Sequence, residues 1–136
     1  MITIEEQQKL FVNVSEKLKE RINAYAVGGT AMMFLGLKDA TLDIDIVFEN
    51  ETDRKIFEDA IKSLGYTALD SAIVYGAKKN RPHMFTLGDN RFDLFVGEIV
   101  YFIFSEDMQK RSKQIHQYNN NLILKIADPH DIIVMK

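Results

Sequence analysis

Cysteine is absent from this 136-residue chain. Neither a disulfide framework nor a thiolate metal site can be built without it, and the absence fits a reducing cytoplasm, the expected location. Long apolar runs are missing too. No stretch approaches the ~20 residues that a membrane-spanning helix needs, so no membrane partner is expected. The acidic start, Met1-Ile-Thr-Ile-Glu-Glu, has neither the basic flank nor the apolar core of a signal peptide. Basic charge is not in excess: the formal net charge is −3, which supplies no footprint for broad nucleic-acid binding. A local basic strip could still serve a nucleic-acid substrate. Internal repeats, linkers and low-complexity tracts are also lacking. The composition that remains is that of an ordinary globular protein, 46% hydrophobic and 27% charged. Its length predicts one domain over residues 1–136, able to bury roughly two-thirds of its unfolded surface.

The chain is organised around residues 24–48. A short apolar run, Tyr25-Ala26-Val27, meets Gly28-Gly29, and Thr30 then opens a segment of helical character. Strand, glycines and helix start form a phosphate-binding arrangement: outward N–H groups sit where the lack of a side chain allows close approach. The alternative is a plain tight turn. Asp43 and Asp45 follow, alternating with Leu42, Ile44 and Ile46. On a strand, i and i+2 share a face, so both carboxylates project together while the apolar residues pack the other way. Paired like charges cost stability, and hard divalent cations are the usual neutraliser of paired carboxylate oxygens. A third carboxylate, Asp93, lies between Phe92 and Leu94 in another strand-like run. Three such groups could hold two metal ions about 3.5–4 Å apart, as in phosphoryl chemistry.

Val27-Gly28-Gly29, then Asp43-Ile44-Asp45-Ile46, then Phe92-Asp93-Leu94 resemble, in order and spacing, the signature of the polymerase-beta-type nucleotidyltransferase superfamily. Within it, Gly36-Leu37-Lys38 and Thr41-Leu42-Asp43-Ile44-Asp45 are similar to the small prokaryotic group that includes abortive-infection enzymes and toxin–antitoxin components. The resemblance spans roughly Ala24 to Val96. It implies transfer of a nucleoside monophosphate from a nucleoside triphosphate such as ATP to an acceptor hydroxyl, with release of pyrophosphate. Asp43 and Asp45 would hold Mg²⁺ (or Mn²⁺) on the triphosphate, and Asp93 would complete a second metal site or act as the base. Gly28, Gly29 and Thr30 would bind phosphates through backbone donors. Lys38 would touch a phosphate or stay solvated. The acceptor is open between a protein partner, a tRNA end and a small molecule such as an aminoglycoside, and no residue selects a base. A second reading is a non-catalytic nucleotide-binding or toxin–antitoxin partner that retains the fold; a third is a purely structural module.

Along the chain, Thr3 and Glu6 form a capping box for a helix running to about Arg21, with Leu10, Phe11, Val14, Leu18 and Ile22 as its core stripe. A strand is predicted over 42–48. A helix is predicted from Asp53 to Leu64, with Asn50 or Thr52 as N-cap and Gly65 after its end. Residues 66–75 are weakly strand-like, with a break at Asp70-Ser71. Lys78, Lys79 and Arg81 lie in a basic loop that could contact phosphates or simply be exposed. Met84–Leu87 and Arg91–Val96 read as a hairpin around Gly88-Asp89-Asn90. Ser105 caps a short helix. A second hairpin turns at Asn119-Asn120-Asn121. Asp128-Pro129 starts a helix that stops after roughly two turns, shorter than the ~11–12-residue average. A truncated form, a minimal form and completion by a partner are all consistent with that ending. His83, His116 and His130 have no metal-ligand spacing. Alternating elements predict an α/β or α+β domain, with a mixed sheet carrying the acids on its exposed edge face and helices behind it; the topology itself comes from the resemblance.

Overall fold

A computed structural model describes residues 1–78, 80–99 and 102–134. Among them, eleven strands and six helices follow one another. β1 (Ile2–Thr3) leads into α1 (Ile4–Lys17), β2 (Ile22–Ala26), α2 (Gly28–Phe34), β3 (Ala40–Thr41), β4 (Ile44–Phe48) and α3 (Glu51–Ser63). β5 (Thr67–Leu69), α4 (Ala72–Tyr75), β6 (His83–Leu87), β7 (Asn90–Val96), β8 (Glu98–Ile99) and β9 (Phe102–Ile103) follow. The chain closes with α5 (Glu106–Arg111), β10 (Gln114–Tyr118), β11 (Leu122–Ile126) and α6 (Pro129–Val134). Seven strands form one mixed sheet in the order β10-β11-β2-β4-β7-β6-β5. β11 runs parallel to β2, and β4 parallel to β7; the other pairs are antiparallel. Helix α3 makes the crossover after β4 and covers one face of the sheet. The fold class is therefore as the alternating elements predict.

Alternation decides the two faces. In β4, Ile44, Ile46 and Phe48 are buried; in β7, so are Phe92 and Leu94. An aromatic chain runs from Phe48 to Phe57 of α3 (ring centroids 5.4 Å), from Phe57 to Phe92 (5.5 Å), and from Phe92 to Tyr66 (5.1 Å). Each such side chain contributes about 1.5–3 kcal/mol by leaving water. The residues between them, Asp45 and Asp93, face the opposite side.

Local signals hold in several places. Thr3 and Glu6 make the reciprocal capping box. Asn50 caps α3 by accepting from the Asp53 N–H at 2.8 Å. Ser105 caps α5 and Asp128 accepts at the start of α6. Both hairpins form, with Asn119 in the left-handed region at φ 52°. Other expectations yield to tertiary pairing. Helix α1 ends at Lys17, not Arg21, because Ile22 is taken into β2 opposite Leu122 of β11. β4 begins at Ile44, where its ladder with β7 begins; Leu42 is exposed and Asp43 sits in a bend before the strand. Residues 66–75 contain the short β5 and then a helical turn, started by Asp70 accepting from the Ala72 N–H at 2.9 Å. Asp45 and Asp93 lie on central strands of the sheet, not at its edge, since β4 and β7 each have neighbours on both sides. Lys79 lies outside the described residues. Among the described residues no helix is long and apolar enough to cross a membrane.

Candidate active site

Register creates the site. Asp45 of β4 and Asp93 of β7 are direct partners across the parallel ladder, so their side chains rise from the same face side by side. Asp43 joins from the bend two residues earlier. One carboxylate oxygen from each of the three lies within 4.8 Å of the others. Neighbouring oxygens around an octahedral Mg²⁺ sit about 3 Å apart and opposite ones about 4.2 Å, from bond lengths of 2.0–2.1 Å. The 4.8 Å limit takes in both spacings, so the three groups are close enough to share one divalent ion.

The glycine turn locks Asp45 in place. Its N–H donates to Thr30 Oγ1 at 3.0 Å, and its carbonyl accepts from the Val27 N–H at 3.1 Å. Gly28 has φ 56°, a left-handed conformation that favours glycine, and a Cβ there would lie 2.6 Å from Asp45 Oδ2. The pair therefore does two jobs: it opens helix α2 and it makes room for a carboxylate. At Gly29 a Cβ would lie 3.3 Å from Lys38 Nζ and 2.5 Å from Thr41 Oγ1. Lys38 is thus brought over the turn, while Thr41 is buried and donates to the Asp43 carbonyl at 3.0 Å. The first intrahelical bond of α2 runs from Ala31 to Val27, so the N–H groups of Gly28, Gly29 and Thr30 precede the helical ladder. The Thr30 hydroxyl is buried and accepts from the Asp45 N–H rather than capping α2.

Two partners were not foreseen. Arg91 lies two residues before Asp93 on β7 and so on its face. Its Nη2 donates to Asp43 Oδ2 at 2.6 Å and to Asp93 Oδ2 at 3.0 Å, and its Nε donates to Asp93 Oδ1 at 2.8 Å. Tyr75, at the end of α4, donates its hydroxyl to Asp93 Oδ2 at 2.8 Å. Asp93 has no exposed surface as a result, yet it is turned to the other acids and not into the apolar core. The i, i+2 spacing was a readable signal for Arg91. Tyr75 had none, because its contact depends on how a loop eighteen residues away folds back.

The electrostatics follow from this crowding. Burial, then the charges of Asp43 and Asp93, push the Asp45 carboxyl well above the ordinary carboxylate range. Burial also raises Asp93, against the opposing hydrogen bonds of Arg91 and Tyr75. The Tyr75 hydroxyl is raised by burial and by the nearby carboxylates. Asp45 Oδ1 is buried without a hydrogen-bond partner. An orphaned carboxylate oxygen in a cluster of three carboxylates, with one guanidinium against three negative charges, fits a hard divalent cation. Of the basic loop, Lys78 and Arg81 are exposed, and Arg81 donates to the Gly76 carbonyl at 2.8 Å. His83 is exposed, and the His116 ring lies tilted against Phe34, centroids 4.5 Å apart.

The mixed sheet flanked by helices is a nucleotidyltransferase-like fold. Two solved structures share it. One is a crystal structure of ANT(2″)-Ia in complex with adenylyl-2″-tobramycin, 17% identical, with a TM-score of 0.56 over 88% of this chain and 68% of that one. The other is a solution structure of the antibiotic-resistance factor ANT(2″)-Ia, 20% identical, with a TM-score of 0.57 over 95% of this chain and 69% of that one. No protein-family model matches the chain, and no curated protein matches it by sequence.

Proposed function

We propose that this protein is a metal-dependent nucleotidyltransferase that moves a nucleoside monophosphate from a nucleoside triphosphate to an acceptor hydroxyl. The observation that carries the reading is the pairing of Asp45 with Asp93 across β4 and β7, beside the Gly28 turn and within reach of Asp43. Asp43, Asp45 and Asp93 would hold the divalent cation, Mg²⁺ or Mn²⁺. Bound there, the cation would neutralise phosphate oxygens and make the acceptor hydroxyl easier to ionise. The chain itself does the rest. The N–H groups of Gly28, Gly29 and Thr30 and the ammonium of Lys38 hold the β- and γ-phosphates. Asp93, once a hydroxyl reaches it, takes the acceptor proton. The acceptor oxygen then bonds to the α-phosphorus and pyrophosphate leaves. Positioning and charge neutralisation supply most of the rate.

The solved neighbour holding adenylyl-tobramycin supports ATP as the first nucleotide to try and a small-molecule hydroxyl as the first acceptor, ahead of a tRNA end or a protein side chain. The place within the toxin–antitoxin-like group rests on the sequence resemblance. A second reading has its own support: Arg91 and Tyr75 occupy Asp93 and cover it completely. That suits a nucleotide-binding partner protein that does not turn over. Calorimetric titration with nucleoside triphosphate and Mg²⁺, followed by a transfer assay on aminoglycosides and tRNA, separates the two. Binding with transfer supports the enzyme; binding without transfer to any acceptor class supports the partner protein. No metal-dependent binding at all sinks both.

A further inference from the structure

Building on the transfer reading, we infer that Arg91 is the resident second cation of this site, so that the resting protein takes one divalent ion where its three carboxylates would otherwise admit two. The geometry is direct. The Arg91 guanidinium bridges Asp43 Oδ2 at 2.6 Å and both oxygens of Asp93 at 2.8 and 3.0 Å. A metal shared by Asp43 and Asp93 would need those same oxygens. Their lone pairs are further taken by Tyr75, which donates to Asp93 Oδ2 at 2.8 Å. Asp45 is left out of this arrangement. It receives nothing from Arg91 among the described hydrogen bonds, its Oδ1 is buried without a partner, and its Oδ2 lies over the side-chain-free Gly28.

The charges thus divide. Asp43 and Asp93 are neutralised from within the chain, by a planar donor that matches carboxylate geometry bidentately. Asp45, with the outer side of Asp43, is left for an ion from solution. Backbone placement favours the arrangement in the resting protein: Arg91 and Asp93 share a strand and a face, so the guanidinium must break two bonds to its own neighbour before it can leave. Arg91 is accordingly a positioning residue. It holds Asp43 and Asp93 at their spacing before any ion arrives, and it keeps a buried Asp93 from standing uncompensated.

Mn²⁺ titration followed by electron paramagnetic resonance, with metal alone and no nucleotide, tests this on the wild-type chain, Arg91→Gln and Arg91→Lys. The wild type should bind one Mn²⁺ per chain, Arg91→Gln should bind two, and Arg91→Lys should remain at one because it keeps the charge. In chelator, Arg91→Gln should melt below the wild type and recover its melting temperature when Mn²⁺ is added; Arg91→Lys should lose less. Two equivalent ions in the wild type overturn the inference without reference to any variant, so a failure of Arg91→Gln to fold does not shield it. Unchanged stoichiometry in Arg91→Gln overturns it as well. If none of the three proteins binds Mn²⁺, the metal-dependent transfer reading fails first and this inference with it, an outcome distinct from two ions in the wild type.

Discussion

At the scale of single residues, Asp45 carries the largest electrostatic burden. Burial and two neighbouring carboxylates raise its carboxyl well above the ordinary range, so folding disfavours its charged form and a neutral isostere relieves the cation-free protein. Asp45→Asn should leave the melting temperature in chelator equal or higher, while transfer falls on the order of 10³-fold, the scale of removing a preorganised charge at a reacting centre. A circular-dichroism melt beside a transfer assay reads both; full turnover in the variant with metal present would remove Asp45 from the site. Gly28 is the converse case, where the backbone matters and not a charge. A methyl group there meets Asp45 Oδ2 at 2.6 Å and stands on a left-handed backbone. Gly28→Ala should cost about 1–2 kcal/mol from the backbone alone and should also displace the carboxylate. Urea unfolding measures the first, and weaker Mn²⁺ binding reports the second. The glycines and the acids were legible in the sequence because their chemistry is unusual for their surroundings. What each one touches was not: only the fold shows that the Thr30 hydroxyl accepts from the Asp45 N–H.

At the scale of elements, α3 shows how a helix that only packs can still set a pH limit. Glu58 is buried on it and pairs with Arg54 at 3.1 Å and Lys55 at 2.8 Å, with Lys62 at 3.7 Å. Burial alone would raise its carboxyl, but the hydrogen bond from Lys55 and the three positive charges outweigh this and leave it below the ordinary glutamate value of 4.5. A carboxyl lowered by folding binds its proton more weakly in the native state. Its stabilisation is therefore present above the unfolded value and is lost as pH falls through the lowered native one. Glu58→Gln should cost about 1–3 kcal/mol at neutral pH, since Arg54 is left half-paired in the interior. Below pH 4.5 that difference should shrink, a trend that urea unfolding across the acid range would show; a difference that stays constant would remove Glu58 from the acid sensitivity. The helix itself was readable from its apolar face and its cap. The boundaries that failed are those where a ladder intervenes: Ile22 has helical spacing, but its backbone is claimed by Leu122 across the sheet.

At the scale of the whole molecule, the site is a junction between distant segments. The glycine turn, Asp43 and Asp45, and the β6–β7 hairpin meet only when β2, β4 and β7 pair, so a ligand bridging them binds the folded chain and not the unfolded one. A nucleoside triphosphate with Mg²⁺, present at a hundred times its dissociation constant, should add about 2.7 kcal/mol to unfolding by mass action. Urea unfolding with and without the pair, and with nucleotide in chelator as the control, checks this; no shift in the complete mixture counts against the site. The amino-acid sequence by itself determined which groups carry chemistry and how they alternate, because side-chain periodicity on a strand depends on nothing beyond the strand. It also determined the caps and turns, which act over three or four residues. Only the tertiary structure decided the register that sets Asp45 opposite Asp93, the placement of both on central strands, and the closing of Asp93 beneath Arg91 and Tyr75. Asp45 and Asp93 are dozens of positions apart and Tyr75 is 18 from Asp93, and the energy of such contacts exists only after the chain has met the cost of bringing them together.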